Sequence, residues 1–253
     1  VDILTEAFRW LNDPLNWTGR RGVLALTADH LQVSAVAALL ALAVALPLGL
    51  WLGHRGRGAT VGVVVANTTR AVPTLALLML LAASGFFGNG ATAVACAVFA
   101  VPPILANAVT GVAGVSPAAR DAARGVGMSP ARVLWTVEIP HAVPLVAAGI
   151  RTGAVQVLAT VPLAALVGGT SLGTVVVTGF GTLRYGQALA GGLLVAALCL
   201  VVEGVLALVE RAVTPAGLRA RRRSERGRDR PVPRRAPVAA VAGDRSNGPR
   251  PGS

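Results

Sequence analysis

Apolar residues in this chain fall in long blocks, and there is little of the strict alternation that marks strands. The block "LQVSAVAALLALAVALPLGLWL" at 31–52 carries no charge from end to end. A bilayer hydrocarbon core of ~30 Å needs about 20 apolar residues at ~1.5 Å each. Four further blocks meet that length: 60–84, 91–112, 142–167 and 187–209. Lipid offers no hydrogen bonds, so each block satisfies its backbone internally and is read as a helix. The segment "TSLGTVVVTGF" at 170–180 is too short and Gly-rich to span, and reads as a connecting or re-entrant piece. The expectation is an all-α membrane protein with about five transmembrane helices.

Polar residues inside those blocks are few and therefore informative. Block 60–84 contains Asn67, Thr68, Thr69 and Arg70, followed by Pro73 and Thr74, and block 187–209 contains Glu203. An ionisable group at depth is costly, so it faces a path or finds a partner. Pro73 also frees a carbonyl about one turn earlier, which a pore-lining backbone tolerates. Asn67, Thr68, Arg70, Pro73, Thr74 and Glu203 are the candidate translocation path. An Arg70–Glu203 ion pair is the structural alternative. His30, His54 and His141 fall at block edges and read as structural, and Arg151 sits near one end of its block. Cys96 and Cys199 lie in apolar runs with neither disulfide nor metal spacing, and read as small fillers.

Charge sets the orientation and removes several chemistries. Only 13% of the residues are charged against 54% apolar, which places the chain in the membrane class. All 23 basic residues are Arg. Without Lys there is no Walker A lysine to reach phosphates and no Schiff-base chemistry. With the N-terminus outside, the inside segments 54–59, 114–138 and 211–253 hold 17 Arg, against 4 in the outside segments 1–30, 85–90 and 168–186. The arginine excess gives N-out, C-in. Residues 1–23 are then extracytoplasmic, and 24–213 form the transmembrane domain.

The pI of 11.7 would by itself suggest nucleic acid. The excess collects instead after residue 210, where 12 Arg stand among repeated Pro and Gly. Such a composition cannot bury enough apolar surface to fold. Residues 214–253 read as a disordered cytoplasmic tail near anionic lipid. No aromatic follows Tyr185, so the tail has no platform for stacking bases, and nucleic acid is not an expected partner.

The inside loop 114–140 breaks the apolar pattern with more organisation than a linker needs. "SPAARDAARGVG" opens with Ser116 as an N-cap and Pro117 at the first helical position, and Gly125 and Gly127 end it. Ser129 and Pro130 repeat the start signal. Ala118, Ala119, Ala122 and Ala123 give the first helix a face of little bulk, which lets another surface approach closely. The loop reads as a docking element.

The same loop carries a longer pattern: Asp121-Ala122-Ala123, three residues, Gly127, nine residues, Val137, Glu138, Ile139, Pro140. In this it resembles the permease subunits of binding-protein-dependent ABC importers, with Asp for Glu, Val for Ile and Ile for Leu. Stretches such as "RAVPTLALLMLL" and "VEIPHAVPLVAAGIRTGAVQVLATVPLAALVGGTSLG" are similar to the osmoprotectant permeases for glycine betaine, carnitine and choline. The likeness runs over roughly 24–211. It implies the type I importer permease fold in a bacterial cell membrane, with the coupling helix in the 114–140 loop. Ala119, Asp121, Ala122, Ala123, Arg124 and Gly127 would seat it on a separate ATPase.

The resemblance implies a non-catalytic transport subunit with no cofactor of its own, since ATP and Mg would belong to the ATPase partner. It also implies an extracytoplasmic substrate-binding protein and a second permease copy, identical or related. Quaternary ammonium ions favour aromatic cages, but Trp10, Trp17, Trp51, Trp135 and Tyr185 all lie outside the spans or at their ends. A tight site for such a cargo therefore belongs on the binding protein. Two alternatives stay open: a methionine or other amino-acid importer permease, and an ion-coupled secondary transporter. The latter is marked by several intramembrane carboxylates, where this chain offers Glu203.

Overall fold

A computed structural model describes residues 2–56, 64 and 73–213. Among the described residues all regular structure is helical. Helix α1 (Ile3–Asn12) starts at Asp2, whose carboxylate accepts from the Leu4 amide, and a 3₁₀ turn at Pro14–Asn16 follows it. Next come α2 (Val23–Arg55), α3 (Thr74–Ala83), α4 (Gly88–Ala113) and α5 (Pro117–Gly125). Helix α6 is one long rod, Pro130–Val167, with a π turn near its start and 3₁₀ turns at its end. Helices α7 (Gly173–Gly181) and α8 (Tyr185–Val213) complete the chain.

Four of these, α2, α4, α6 and α8, are long and apolar enough to cross a membrane. The expected span at 60–84 is represented by α3 with its caps Pro73 and Ser84, and residues 60–63 and 65–72 lie outside the described residues. Helix α2 starts at Val23, earlier than the apolar block at 31–52, and its 33 residues reach ~50 Å at the usual rise. Its first turns carry Asp29 and His30. His30 is fully buried, and its Nε2 lies 3.0 Å from the Leu158 carbonyl on α6. The segment expected to be connecting or re-entrant is α7, a nine-residue helix packed on α8 and on the end of α6.

Small residues decide how closely the spans approach. Along α2, Ala37, Ala41, Ala45, Gly49 and Gly53 recur every fourth position, and all are buried. This stripe faces α4, where Ala93, Ala97, Ala100 and Ala108 are buried. In lipid there is no hydrophobic force between helices, so association relies on close van der Waals packing, which small side chains permit. A Cβ added at Gly49 would lie 2.6 Å from Ala108 Cβ, and one at Gly53 2.7 Å from Val112 Cβ. On the other side of α4, a Cβ at Gly149 of α6 would lie 2.6 Å from Asn107 Cβ. Helix α4 is thus clamped between α2 and α6, with Ile104, Leu105, Val157 and Val161 filling the layer between them.

A second cluster closes the other end of the bundle. Val23, Leu26, Leu172 and Val175 pack with Trp10 and Trp17, tying α2 and α7 to the N-terminal segment. Trp17 donates its indole N–H to the Leu11 carbonyl at 2.7 Å, and Asn16 donates to that of Trp10 at 2.9 Å. These bonds fix the turn between α1 and α2. Of the two cysteines, Cys96 is buried in the α2–α4–α6 core and Cys199 is half-buried; both are free thiols.

Candidate docking helix and its anchor

Local chemistry sets both ends of α5. Ser116 Oγ accepts from the Ala119 amide at 3.3 Å, and Pro117 occupies the first turn, where its missing N–H costs nothing. At the far end Gly127 adopts φ +83°. Its amide bonds the Arg124 carbonyl at 2.9 Å, while Met128 bonds that of Ala123 at 3.1 Å. This is a Schellman closure, which needs a left-handed residue at the position Gly127 holds. Ser129 then caps the start of α6 by accepting from Arg132 at 3.4 Å, with Pro130 first in the helix.

The helix shows one face to the outside and one to the protein. Ala118, Asp121, Ala122, Arg124, Gly125, Val126 and Gly127 are exposed, with Trp135 of α6 alongside. Asp121 and Arg124 form a loose exposed pair at 3.9 Å, of a kind that contributes little to stability. The alanines divide between the two faces: Ala118 and Ala122 point outward, Ala119 is half-buried, and Ala123 is buried against the body. Of the six expected docking residues, Asp121, Ala122, Arg124 and Gly127 therefore stand on the open surface, with Ala119 at its edge.

Behind the helix is an ionic cluster that sequence reasoning missed. Glu138 is fully buried. Its Oε1 lies 2.8 Å from Arg120 Nε of α5, and its Oε2 lies 2.6 Å from His54 Nδ1 near the end of α2. Arg120 also donates through Nη2 to the Val112 carbonyl at 2.6 Å, satisfying a last-turn carbonyl of α4. Helices α2, α5 and α6 thus meet at one carboxylate, and α4 joins them through Arg120.

The π turn at Leu134–Glu138 aims Glu138 into this cluster, with the Ile139 amide bonded to the Leu134 carbonyl. Its cause is legible: Pro140 has no N–H for the Thr136 carbonyl, and its ring crowds that carbonyl, which favours a wider turn. The available signal was that Arg120 shares the inward face with Ala123, three residues on.

The candidate path is placed only in part. Asn67, Thr68 and Arg70 lie outside the described residues. Pro73 caps α3 in an extended conformation and Thr74 opens the helix, which packs on α4 and on the end of α6. Glu203 is held by Arg151, whose Nε lies 3.2 Å away, and the same guanidinium donates to Glu210 at 2.7 Å. Arg151 therefore ties α6 to two carboxylates on α8. At the opposite end of α2, a groove of about 420 Å³ is lined by residues that include Trp10, Thr18, Arg21, Arg184 and Gln187. Among the described residues no three metal-ligating side chains converge.

The described residues form a set of apolar candidate spans bearing a capped helix with one exposed face, and sequence comparison gives the family. Residues 45–215 match the binding-protein-dependent transport system inner membrane components, and the chain belongs to that family. It is accordingly a multi-pass inner membrane protein of bacterial type. It is 34% identical to the choline transport system permease protein OpuBB of Bacillus subtilis, over 76% of this chain and 88% of that one. It is 35% identical, with the same coverage, to the glycine betaine/carnitine/choline transport system permease protein OpuCB of the same organism. It is also 30% identical to the osmoprotectant import permease protein OsmW of Salmonella typhimurium, over 77% and 93%. Among solved structures, the MetNI methionine ABC transporter in an inward-facing form aligns with TM-score 0.65 at 20% identity, over 76% of this chain and 96% of that one. That likeness establishes the type I importer permease fold.

Proposed function

We propose that the chain is the channel-forming subunit of an ATP-driven importer for quaternary-amine osmoprotectants such as glycine betaine. The observation that carries this reading is the docking helix, capped at both ends and exposed, in a chain about a third identical to choline and betaine permeases over three quarters of its length. Asp121, Ala122, Arg124 and Gly127, with Ala119 beside them, present the surface for a separate ATPase that supplies the hydrolysis. Ala123 holds the helix to the body from behind.

In the N-out, C-in orientation the N-terminal layer faces an extracytoplasmic binding protein, which delivers the cargo. A second permease copy completes the channel, a C2 pair being the commonest closed assembly. The path is assigned on the sequence to Asn67, Thr68, Arg70, Pro73, Thr74 and Glu203, of which the first three lie outside the described residues. Binding and hydrolysis of ATP by the partner alternate the path between its two openings, and this chain performs no covalent chemistry.

The test is uptake of labelled glycine betaine by cells expressing the chain with its partner ATPase and binding protein, challenged with unlabelled choline, carnitine and methionine. Competition by the quaternary amines and not by methionine is the expected result. An assembled, hydrolysing complex that takes up no betaine would reject the substrate, and competition by methionine would reassign it.

A further inference from the structure

We propose that Glu138 is a positioning residue through which movement of the docking helix reaches the spans. The proposal rests on the importer reading above and adds to it the element that transmits the motion. The exposed face of α5 is what a partner would push. On its other face Arg120 is ion-paired with Glu138, Nε to Oε1 at 2.8 Å without an aligned hydrogen bond, and it donates through Nη2 to Val112 at the end of α4 at 2.6 Å. Glu138 in turn holds His54, near the end of α2, at 2.6 Å, and it belongs to the first turns of α6. Displacing α5 therefore pulls on the inner ends of α2, α4 and α6 at one point.

Burial is what makes this link stiff. A carboxylate with no solvent access loses heavily when a partner leaves, because an uncompensated charge remains in a medium that cannot solvate it. Apolar contacts such as that of Ala123 slide at little cost, whereas Arg120 and His54 must follow the carboxylate. The π turn that Pro140 imposes sets the direction from which Glu138 enters the cluster.

The experiment uses the whole importer, reconstituted in nanodiscs with its ATPase subunits and glycine-betaine-loaded binding protein. In Glu138→Gln the ATPase subunits should still co-purify, and basal hydrolysis should stay within about twofold. Stimulation by the loaded binding protein should fall by about tenfold, within the usual range of coupling between two sites. Glu138→Asp, which keeps the charge, should recover most of that stimulation.

Intact stimulation in Glu138→Gln would overturn the proposal. So would loss of the ATPase subunits, because the cluster would then only build the docking surface. Failure of the Asp variant to recover would overturn it as well. If Glu138→Gln does not accumulate in membranes, His54→Asn decides: a clear fall in stimulation supports the link, and unchanged stimulation refutes it. A wild-type complex that assembles without any response to the loaded binding protein would overturn both this proposal and the importer reading.

Discussion

The close approach of α2 to α4 gives a prediction that can be worked through from geometry. In Gly49→Ala the new methyl would start 2.6 Å from Ala108 Cβ and 3.1 Å from the Leu105 carbonyl oxygen. Carbon atoms rest at about 3.5–4.0 Å, so the helices must part by about 1 Å. Both Ala108 and Leu105 sit on a helix pressed from its other side by α6, which leaves α4 nowhere to retreat. Overpacking of this kind costs about 1–3 kcal/mol, and the better helix propensity of Ala returns about 1 kcal/mol at most. The net loss is about 0–2 kcal/mol, or up to ~8 °C in unfolding midpoint for a chain of this size.

Gly53→Ala meets Val112 Cβ at 2.7 Å in the same interface. One separation of the helices relieves both clashes, so the double variant should cost less than the sum of the singles. Gly149→Ala opens the α4–α6 side instead and should add to Gly49→Ala nearly in full or worse. The measurement is thermal unfolding of the detergent-solubilised protein across this variant set. A midpoint for Gly49→Ala above wild type would refute the packing argument, because only propensity would then be acting.

At the docking helix, Gly127 has open space around it, so a substitution there is opposed by backbone strain alone. Gly127→Val should cost about 1–2 kcal/mol of local order at the helix end, while the bulkier Gly127→Trp should abolish ATPase co-purification and leave membrane insertion intact. Normal co-purification from Gly127→Trp would sink the docking assignment. At the α6–α8 tie, Arg151→Gln leaves Glu203 and Glu210 without their shared guanidinium. It should destabilise by about 1 kcal/mol, the upper range for half-exposed pairs. Adding Glu203→Gln should restore part of the loss, and a purely additive double-mutant cycle would show that the contact carries no energy.

Chemistry that acts over a few residues was readable in the chain. Hydrocarbon thickness fixes how many apolar residues a span needs, which is why α2, α4, α6 and α8 stand out as blocks. Ser116, Pro117, Gly125 and Gly127 set the limits of α5 because caps act within one helical turn. Tertiary structure decided which side of that helix is free: Ala122 and Ala123 are neighbours in sequence, yet one is exposed and the other buried. It also brought together His54, Arg120 and Glu138, the first and last 84 positions apart, and it gave Glu203 its partner in Arg151.

The small-residue stripe from Ala37 to Gly53 was present in the sequence as a four-residue period. Its purpose became visible only once α4 lay against it. Hydropathy measures the transfer of each residue from water to lipid taken singly, and says nothing of which neighbour that residue meets. Which helices touch depends instead on shape and on buried charge, and both are properties of pairs.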